Sequence, residues 1–396
     1  MKREARALEA ALARLEAAQL RRARVTVRER ALTGRTLTLA DGRELIDFSS
    51  NDYLGLAGHP ALARAMAESA ARAGAGSGAS HLITGHGAEH ARLEEELAAF
   101  TQRERALLFS TGYMANLAVI SALAGRGERV VLDRLCHAWL IDGARLSGAT
   151  LVRYAHAAAD EAARLVDADP EHTVLLATDG VFSMDGDLAP LPELSRCARA
   201  RRLWLLVDDA HGLGVIGANG GGVLEHFGLG SDAVPVLVGT LGKAFGSFGA
   251  FVAGSAALIE FLIQKARTYL YTTALPQPVA AATRAALALI RQESGRRERL
   301  VSLVTRFRAA AHAAGVPLGA STTPIQPILL GSPAAALAAQ RQLAAAGYWA
   351  VAIRPPTVPA GSARLRITLS AGHTEAQIDA LAAELGALLA RGVHEA

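Results

Sequence analysis

Seven short apolar runs recur between residues 106 and 253, each four to six residues long and followed by a turn or by a longer segment of helical spacing. Short apolar runs that alternate with helical segments are typical of buried, mainly parallel strands in an α/β sheet. The pattern therefore predicts one large sheet domain, with strands at 106–109, 129–132, 151–154, 173–178, 203–207, 234–239 and 250–253.

The two ends of the chain have a different pattern. Residues from about 5 to 24 alternate Ala and Leu with Arg and Glu at helical spacing, which predicts an amphipathic helix, and short strand-like pieces follow it. Beyond about residue 278, Ala-rich helical segments surround three apolar pieces and predict a smaller α+β domain. The three pieces are 325–330, 350–353 and 364–369. We therefore divide the chain into an N-terminal helix with short strands (1–44), a large α/β domain (45–284) and a smaller C-terminal α+β domain (285–396).

Polar side chains follow two of the predicted strands of the large domain. Asp208, Asp209 and His211 come at the end of the strand at 203–207. Thr240 and Lys243 come at the end of the strand at 234–239. Ligands of open α/β sheets bind beyond the carboxyl ends of the strands. The five side chains are therefore candidates for a binding site at this edge.

Lys243 stands out because lysine is rare in this chain. Of the 41 Lys and Arg residues, three are lysines, namely Lys2, Lys243 and Lys265. Arginine stays charged at any working pH, whereas the pKa of a desolvated lysine can fall from its ordinary value of about 10.4, so that the amine acts as a nucleophile or base. The presence of a lysine at 243 therefore favours Schiff-base chemistry. The alternative is that Lys243 is an ordinary lysine in a surface loop.

The overall composition and charge exclude several classes of protein. The chain has 51% hydrophobic and 20% charged residues and a formal net charge of +4, too small to indicate a nucleic-acid partner. It lacks both the ~18-residue apolar run of a membrane span and the apolar core of a signal peptide, so we expect a cytoplasmic protein. Cys136 and Cys197 lie apart from any histidine pair at metal spacing, so no metal site is predicted.

A possible anion site follows the strand at 106–109. Residues Ser110 to Tyr113 lie between this strand and a helical segment. Free N–H groups and the positive dipole end at a helix start suit a phosphate, and Gly112 lets a ligand approach closely. Tyr113 would place a ring beside the bound group. Any βα turn can carry a glycine, so the motif alone identifies no ligand.

His137 and Ser183 also follow predicted strands. His137 opens a helical segment after the strand at 129–132, and Ser183 lies in TDGVFSMDGD after the strand at 173–178. A histidine at a helix start is more often a capping or satisfied interior residue than a catalytic one. The aspartates around Ser183 lack the spacing and terminal Glu of an EF-hand, so turn formation explains them more simply than a metal.

One motif points to a different function. Residues 212–217 spell GLGVIG, a GxGxxG pattern after a strand, with Asp232 twenty residues after Gly212. The dinucleotide fingerprint needs its last glycine in a starting helix, but the sequence ANGGG follows here and opposes a helix. We therefore interpret these glycines as a turn and keep an NAD-dependent oxidoreductase as a remote alternative.

A pyridoxal phosphate site uses all of these groups together. Lys243 would hold the cofactor's aldehyde as a Schiff base, and the cofactor would act as an electron sink. Asp208 would pair with the pyridine nitrogen and keep it protonated, which makes the ring accept electrons.

The chain resembles the α-oxoamine synthases, a pyridoxal phosphate family, over nearly its whole length. The resemblance implies an aspartate-aminotransferase-like fold (fold type I) with a large, mainly parallel sheet domain and a smaller C-terminal α+β domain. It also implies a homodimer with active sites at the interface. The motifs that carry it, in family order, are SSNDYLGL, GSG before EEELA, STGYMAN, DRLCHA, GVFSMDGD, VDDAHGLG, GTLGKAFG and RPPTVPAGSARLRITLSAGH.

The resemblance also implies roles at the cofactor. Lys243 would bind the aldehyde and remove the Cα proton, and Asp208 would contact the pyridine nitrogen. His211 and Ser183 would hydrogen-bond the ring oxygen, and His137 would stack on the ring. The implied catalytic residues are Lys243, His137, Asp208 and His211. The implied cofactor-binding residues are Gly112, Tyr113, His137, Ser183, Asp208, His211, Thr240 and Lys243.

The substrates follow from the same resemblance. The run IRPPTVPAG and the LRRAR segment are most similar to members that condense a pimeloyl thioester, on CoA or acyl carrier protein, with L-alanine. Arg366 would pair with the amino acid carboxylate in a bidentate way. The implied substrate-binding residues are Arg21, Asn51, His137, Thr357 and Arg366. Sister synthases that use glycine with acetyl-CoA or succinyl-CoA, or serine with a long acyl chain, remain alternatives, as does a non-catalytic partner subunit. The family pattern departs at Ala274, and the neighbouring Thr272 and Thr273 stay outside the predicted site.

Overall fold

The computed structural model describes residues 2–31 and 35–392. Within these residues the strands, in chain order, are β1 (Val27–Arg30), β2 (Thr36–Leu39), β3 (Glu44–Asp47), β4 (Arg105–Phe109), β5 (Arg129–Asp133), β6 (Thr150–Tyr154), β7 (Thr173–Asp179), β8 (Trp204–Asp208), β9 (Val236–Thr240), β10 (Ala250–Gly254), β11 (Ile325–Gly331), β12 (Tyr348–Trp349), β13 (Val351–Ile353) and β14 (Ala363–Thr368).

The helices of the same residues include one π-helical turn at His81–Gly85. The α-helices are α1 (Lys2–Ala17), α2 (Pro60–Ala73), α3 (Ala88–Phe100), α4 (Gly112–Leu123), α5 (Ala138–Ser147), α6 (Ala159–Asp167), α7 (Leu191–Ala200), α8 (Gly222–Phe227), α9 (Ala256–Lys265), α10 (Arg267–Leu270), α11 (Gln277–Gln292), α12 (Ser294–Ala313), α13 (Pro333–Ala345) and α14 (Glu375–Arg391).

The larger of two compact units comprises residues 54–183 and 187–298. It contains a seven-stranded sheet of order β4-β10-β9-β8-β7-β5-β6. All pairs from β9 to β6 are parallel, and β10 is antiparallel to both of its neighbours. All seven strands that the apolar runs predict are present, so the prediction of a mainly parallel α/β sheet is confirmed.

The apolar runs form these strands because they are buried. Every residue of β9 and β10 is inaccessible to solvent or nearly so. Alternate strand residues such as Val236 and Val238 join one core cluster with apolar residues of α4, α5 and α9. Helices on a parallel sheet therefore explain why the strand sequences are continuously apolar rather than alternating.

The connection between β9 and β10 is short because these two strands are antiparallel neighbours. Parallel strands need a long crossover, whereas antiparallel strands can be joined directly. Residues 241–249 make this link and are held by hydrogen bonds from the N–H of Leu241 to the oxygen of Gly249 and from the N–H of Gly246 to the oxygen of Lys243. Gly246 has a φ of +62°, and a Cβ there would overlap the backbone of Ala57. Lys243 thus lies in a tight loop at the carboxyl end of β9.

The smaller unit comprises, within the described residues, those up to Tyr53, Met184–Gly186 and those from Arg299 onward. Its two sheets have the orders β1-β2-β3-β12 and β11-β14-β13. The strands predicted at 325–330, 350–353 and 364–369 correspond to β11, β13 and β14. The units divide after Tyr53 and before Arg299, rather than at the predicted boundaries 44/45 and 284/285. N-terminal and C-terminal segments share one unit because β3 pairs with β12 in parallel.

The N-terminal helix is shorter than the sequence predicts. The alternating pattern extends to about residue 24, but α1 ends at Ala17. Gln19 has a φ of +55°, and the N–H groups of Leu20 and Arg21 both donate to the oxygen of Leu15. This left-handed turn satisfies carbonyl groups at the helix end and stops the helix. Arg21 and Arg22 therefore lie beyond the helix and not in its last turn.

Neither a membrane span nor a metal cluster is found among the described residues. In this part of the chain, no helix combines the length and the apolar character that crossing a bilayer requires. Among the same residues, no group of three or more His, Cys, Asp or Glu side chains is arranged to hold a metal ion.

A half-buried histidine ties together three segments at the carboxyl edge of the large sheet. His156 lies 3.2 Å from Oδ1 of Asp133 through Nδ1 and 2.8 Å from Oδ2 of Asp187 through Nε2. Burial lowers the pKa of His156, but hydrogen bonds and charge from the two carboxylates outweigh it and raise this pKa to about 10. The imidazolium therefore donates to both carboxylates at neutral pH.

We expect the stability contribution of His156 to depend on pH. Because its pKa in the folded chain exceeds the unfolded value of about 6.5, the stabilisation is complete below that pH and is lost as the pH rises through about 10. His156→Gln should lower the melting temperature at pH 6–7 by roughly 2 °C or more, and by much less above pH 10. Melting curves across this range, with the exposed His226→Gln as control, test the expectation. A pH-independent difference would contradict it.

Candidate active site

The carboxylate of Asp208 lies at the centre of the carboxyl edge of the large sheet. Asp208 ends β8, beside Asp179 of β7 and Val238 of β9, and only 2% of its surface is exposed. Its Oδ2 accepts a hydrogen bond from Nδ2 of Asn116 at 2.7 Å, and its Oδ1 accepts from the N–H of Ala210 at 3.0 Å. Burial raises the pKa of this carboxyl, whereas the charge of Lys243 and these hydrogen bonds oppose the rise.

Lys243 and His211 form a pair beside this carboxylate. Nζ of Lys243 lies 3.0 Å from Nε2 of His211. Lys243 is half-buried and His211 is 7% exposed. An amine and an imidazole at this distance share a hydrogen bond, so a proton can pass between them. The structure therefore brings together three predicted catalytic residues. Asp208 comes from the end of β8, His211 from the turn after it and Lys243 from the loop after β9.

His137 is the N-cap residue of α5 and lies close to the same group. Its N–H donates to Oδ2 of Asp179 at 3.0 Å, and its ring stacks on that of Trp139 with centroids 3.5 Å apart. Burial, and next the charge of Lys243, lower the pKa of His137 to about 4. The ring is therefore neutral at physiological pH. Nδ1 of His137 is buried and has no hydrogen-bond partner among the described residues.

The predicted anion site lies at the start of α4. Thr111 caps this helix through its side chain, which accepts from the N–H of Met114 at 3.2 Å. The N–H groups of Gly112 and Tyr113, in the first turn, need partners from outside the helix. A Cβ on Gly112 would lie 2.9 Å from Cγ2 of Thr240, so the glycine is needed for this close approach. The hydroxyl of Tyr113 donates to Asp142 at 3.1 Å, and 41% of Tyr113 is exposed.

The glycine-rich segment after His211 forms a turn, as predicted. Gly214 and Gly217 have φ values of +82° and +87°, and Leu213 pairs with Gly221 in an isolated bridge. The helix that follows, α8, begins only at Gly222. The dinucleotide fingerprint requires a helix that starts within the motif. The structure therefore gives no support to the NAD-dependent alternative.

Ser183 lies in the loop after β7. The loop is closed by a bridge between Val181 and Leu188, and Ser183 itself is half-buried. The role predicted for its hydroxyl stays a prediction.

Arg366 and Asn51 contact each other within the smaller unit. Nη1 of Arg366 donates to Oδ1 of Asn51 at 3.1 Å and to the hydroxyl of Thr368 at 3.0 Å. Arg366 is 7% exposed. Arg364, on the same strand, instead forms an ion pair with Asp185 at 2.5 Å. Of these two arginines of β14, Arg364 thus contacts a charged carboxylate, whereas the contacts of Arg366 described here are with neutral oxygens.

Thr357 contacts Arg22, the neighbour of Arg21, and the substrate-binding roles implied for Arg21 and Thr357 stay predictions. Nη2 of Arg22 donates to the hydroxyl of Thr357 at 3.4 Å, whereas exposed Arg21 pairs with Glu16 at 3.1 Å. Arg354 donates to the backbone oxygens of Gln19 and Arg21, which fixes this segment after the helix. The sequence pattern places both arginines at a helix end, so it does not indicate which of them reaches Thr357.

Three other residues of the site were not predicted. Asn116 lies one turn into α4, where its amide contacts both Asp208 and the oxygen of Gly112. Asp179 receives the N–H of His137, and Trp139 stacks on the ring of His137. Asn116 is part of the quoted STGYMAN motif, so its position after a strand and an anion site was a usable signal.

Comparison with known proteins identifies the family. The family model "Aminotransferase class I and II" matches residues 43–385. An 8-amino-7-oxononanoate synthase from Methylococcus capsulatus is 62% identical over 346 residues, which are 87% of this chain and 89% of the relative. The chain belongs to the 8-amino-7-oxononanoate synthase family. The prediction of an enzyme of this kind is confirmed.

Solved structures agree with this family assignment. The crystal structure of 8-amino-7-oxononanoate synthase from Francisella tularensis matches with a TM-score of 0.77 and 32% identity, covering 88% of this chain and 98% of that one. Serine palmitoyltransferase from S. paucimobilis, with a bound PLP–myriocin aldimine, matches with a TM-score of 0.91 and 30% identity over 98% of both chains. The predicted fold class is thereby confirmed.

The contact between Asn116 and Asp208 leads to a test of stability. Asn116→Ala should leave an oxygen of buried Asp208 without its donor and lower the free energy of unfolding by about 1–3 kcal/mol. Thermal melting of the variant measures the loss. Ser121→Ala, at an exposed position of the same helix, is the control and should change it by about 0.5 kcal/mol or less. Equal melting temperatures for both variants would contradict the assigned role of Asn116.

Proposed function

We propose that this chain condenses L-alanine with a pimeloyl thioester and releases 8-amino-7-oxononanoate, CO2 and the free thiol. A bond forms between Cα of alanine and the thioester carbonyl carbon, and the C–S bond breaks. The bond from Cα to the carboxylate then breaks, and a proton replaces it. The product name is that of the relative from Methylococcus capsulatus.

One observation carries the proposal. Nζ of Lys243 lies 3.0 Å from Nε2 of His211, and both lie beside the buried carboxylate of Asp208 at the carboxyl edge of the sheet. An amine, an imidazole and a buried anion in one place are the groups that this reaction requires.

The donor set fits pyridoxal phosphate, which we propose as the cofactor. Asp208 offers a buried carboxylate for the pyridine nitrogen, and Lys243 offers an amine for the aldehyde. Gly112, at the start of α4, leaves space that a Cβ would fill, where helix N–H groups suit a phosphate. When bound, pyridoxal phosphate supplies an electron sink for the charge that develops at Cα.

The residues of the chain perform the proton transfers. Lys243 accepts the proton from Cα of alanine, and the adjacent His211 can share the positive charge that results. Neutral His137 has an unpartnered Nδ1 and offers a flat ring without a charge that would repel Lys243. Hydrogen bonds from Asn116 and Ala210 favour the charged form of Asp208 against the effect of burial, so that this carboxylate could pair with the pyridine nitrogen.

We further propose that Arg366 binds the carboxylate of alanine. Its guanidinium is buried and held in place by neutral oxygens of Asn51 and Thr368. Arginine matches a carboxylate with two parallel hydrogen bonds, which lysine cannot reproduce. Release of that carboxylate as CO2 then removes the group that Arg366 holds. The predicted homodimer belongs to the same proposal.

The product is the direct test of the function. Purified protein with pyridoxal phosphate, L-alanine and pimeloyl-CoA or pimeloyl acyl carrier protein should form 8-amino-7-oxononanoate, identified by mass. Lys243→Ala should abolish turnover because no other described residue of the site carries an amine.

Lys265→Ala is the matched control, since Lys265 lies exposed at the end of α9 and should retain wild-type turnover. Turnover of Lys243→Ala near the wild-type level would contradict the proposal. Product formation from glycine or serine, but not from alanine, would instead indicate a sister synthase.

Replacement of Arg366 should affect alanine binding specifically. Arg366→Lys removes a bidentate contact worth about 1.5–3 kcal/mol, so KM for L-alanine should rise roughly 10- to 100-fold. KM for the thioester should change little. Arg306→Lys, an exposed arginine paired with Glu375 and Asp379, is the control. An unchanged KM for alanine in Arg366→Lys would refute this role.

A further inference from the structure

The indole of Trp139 lies among the groups that the proposed function assigns to the cofactor ring. It stacks on His137 with ring centroids 3.5 Å apart and an interplanar angle of 25°. Nζ of Lys243 lies 5.6 Å from its centroid. A Cβ on Gly112 would lie 3.7 Å from Cη2 and Cζ3 of the indole. We call the space bounded by His137, Lys243, Gly112 and Asp208 the ring slot.

A second aromatic ring does not fit into the ring slot beside this indole. Stacked rings need a separation of about 3.5 Å, the normal van der Waals distance between carbon atoms. The stack of Trp139 on His137 already has this spacing. A pyridine ring that contacts both Lys243 and Asp208 would therefore compete with the indole for the same space.

The indole packs against the core of the large sheet and contacts Asp208. Trp139 is the second residue of α5, two residues after the N-cap His137, and the preceding Ala138 is exposed. Its Nε1 is buried and has no acceptor of ordinary geometry among the described residues, although the indole is one of the smaller influences that lower the pKa of Asp208 against the effect of burial. Rotation toward solvent breaks this contact with Asp208, and a pyridine nitrogen that faced Asp208 would replace it.

We propose that Trp139 is a gate residue that fills the ring slot in the cofactor-free chain and turns out of it when the cofactor binds. The proposal rests on the proposed function, because that function places the cofactor ring between Lys243 and Asp208. The indole then stabilises the cofactor-free form and lowers the apparent affinity for pyridoxal phosphate, since only the open fraction of molecules can bind it.

Binding and melting measurements on cofactor-free protein test the gate. Trp139→Ala should bind pyridoxal phosphate about tenfold or more tightly than wild type, measured by absorbance titration. It should melt at a lower temperature than wild type without the cofactor, but at the same temperature when saturated with it. Trp204→Phe is the control, because Trp204 begins β8 at the opposite end of the strand from Asp208. It should leave the affinity unchanged.

The outcomes separate the gate from the proposed function. Equal or weaker binding by Trp139→Ala, with lower melting temperatures in both forms, would mean that Trp139 packs permanently in the site, and would overturn the gate alone. Binding by the variant but not by wild type would support the gate. Absence of binding by wild type and by Trp139→Ala alike would contradict the proposed function and, with it, the gate.

Discussion

The buried carboxylate of Asp208 sets the requirement that the surrounding elements meet. An uncompensated charge in the interior costs on the order of several kcal/mol, so hydrogen-bond donors or opposite charges must lie close to it. The helix after β4 supplies the amide of Asn116, and the turn after β8 supplies the N–H of Ala210. The loop after β9 supplies the positive charge of Lys243. One carboxylate thus links the carboxyl ends of several strands.

The sheet and the strand-end groups could be predicted because they depend on local sequence. A strand buried on both faces is continuously apolar, as in VLVGT of β9, and this pattern is visible without any tertiary information. Asp208 and Lys243 could be placed near each other for the same reason, since the ends of adjacent parallel strands meet at one edge. The antiparallel β10 was not distinguished from its neighbours, yet it explains why the lysine loop is short.

The remaining features depend on contacts between distant segments. Nothing in the alternating pattern of the first helix indicates that it stops at Ala17, because the stop comes from a left-handed residue and from backbone contacts with Arg354. For the same reason the sequence did not indicate that Arg22 contacts Thr357. Trp139 follows a predicted helix start and had no feature that marked its indole as part of the site. Only the packing of α5 against the strand ends brings that ring between His137 and Lys243.

The two-residue pairing of β12 with β3 has a consequence for biosynthesis. It joins Tyr348 and Trp349 to a strand that leaves the ribosome about three hundred residues earlier, because proteins are made from the N-terminus. The larger unit ends at Glu298 and can complete its sheet while the last hundred or so residues are still being made. The early strands β1 to β3 must wait through that interval with an unpaired edge. The order of synthesis therefore leaves this short N-terminal sheet with an exposed edge at which another chain could pair during that interval.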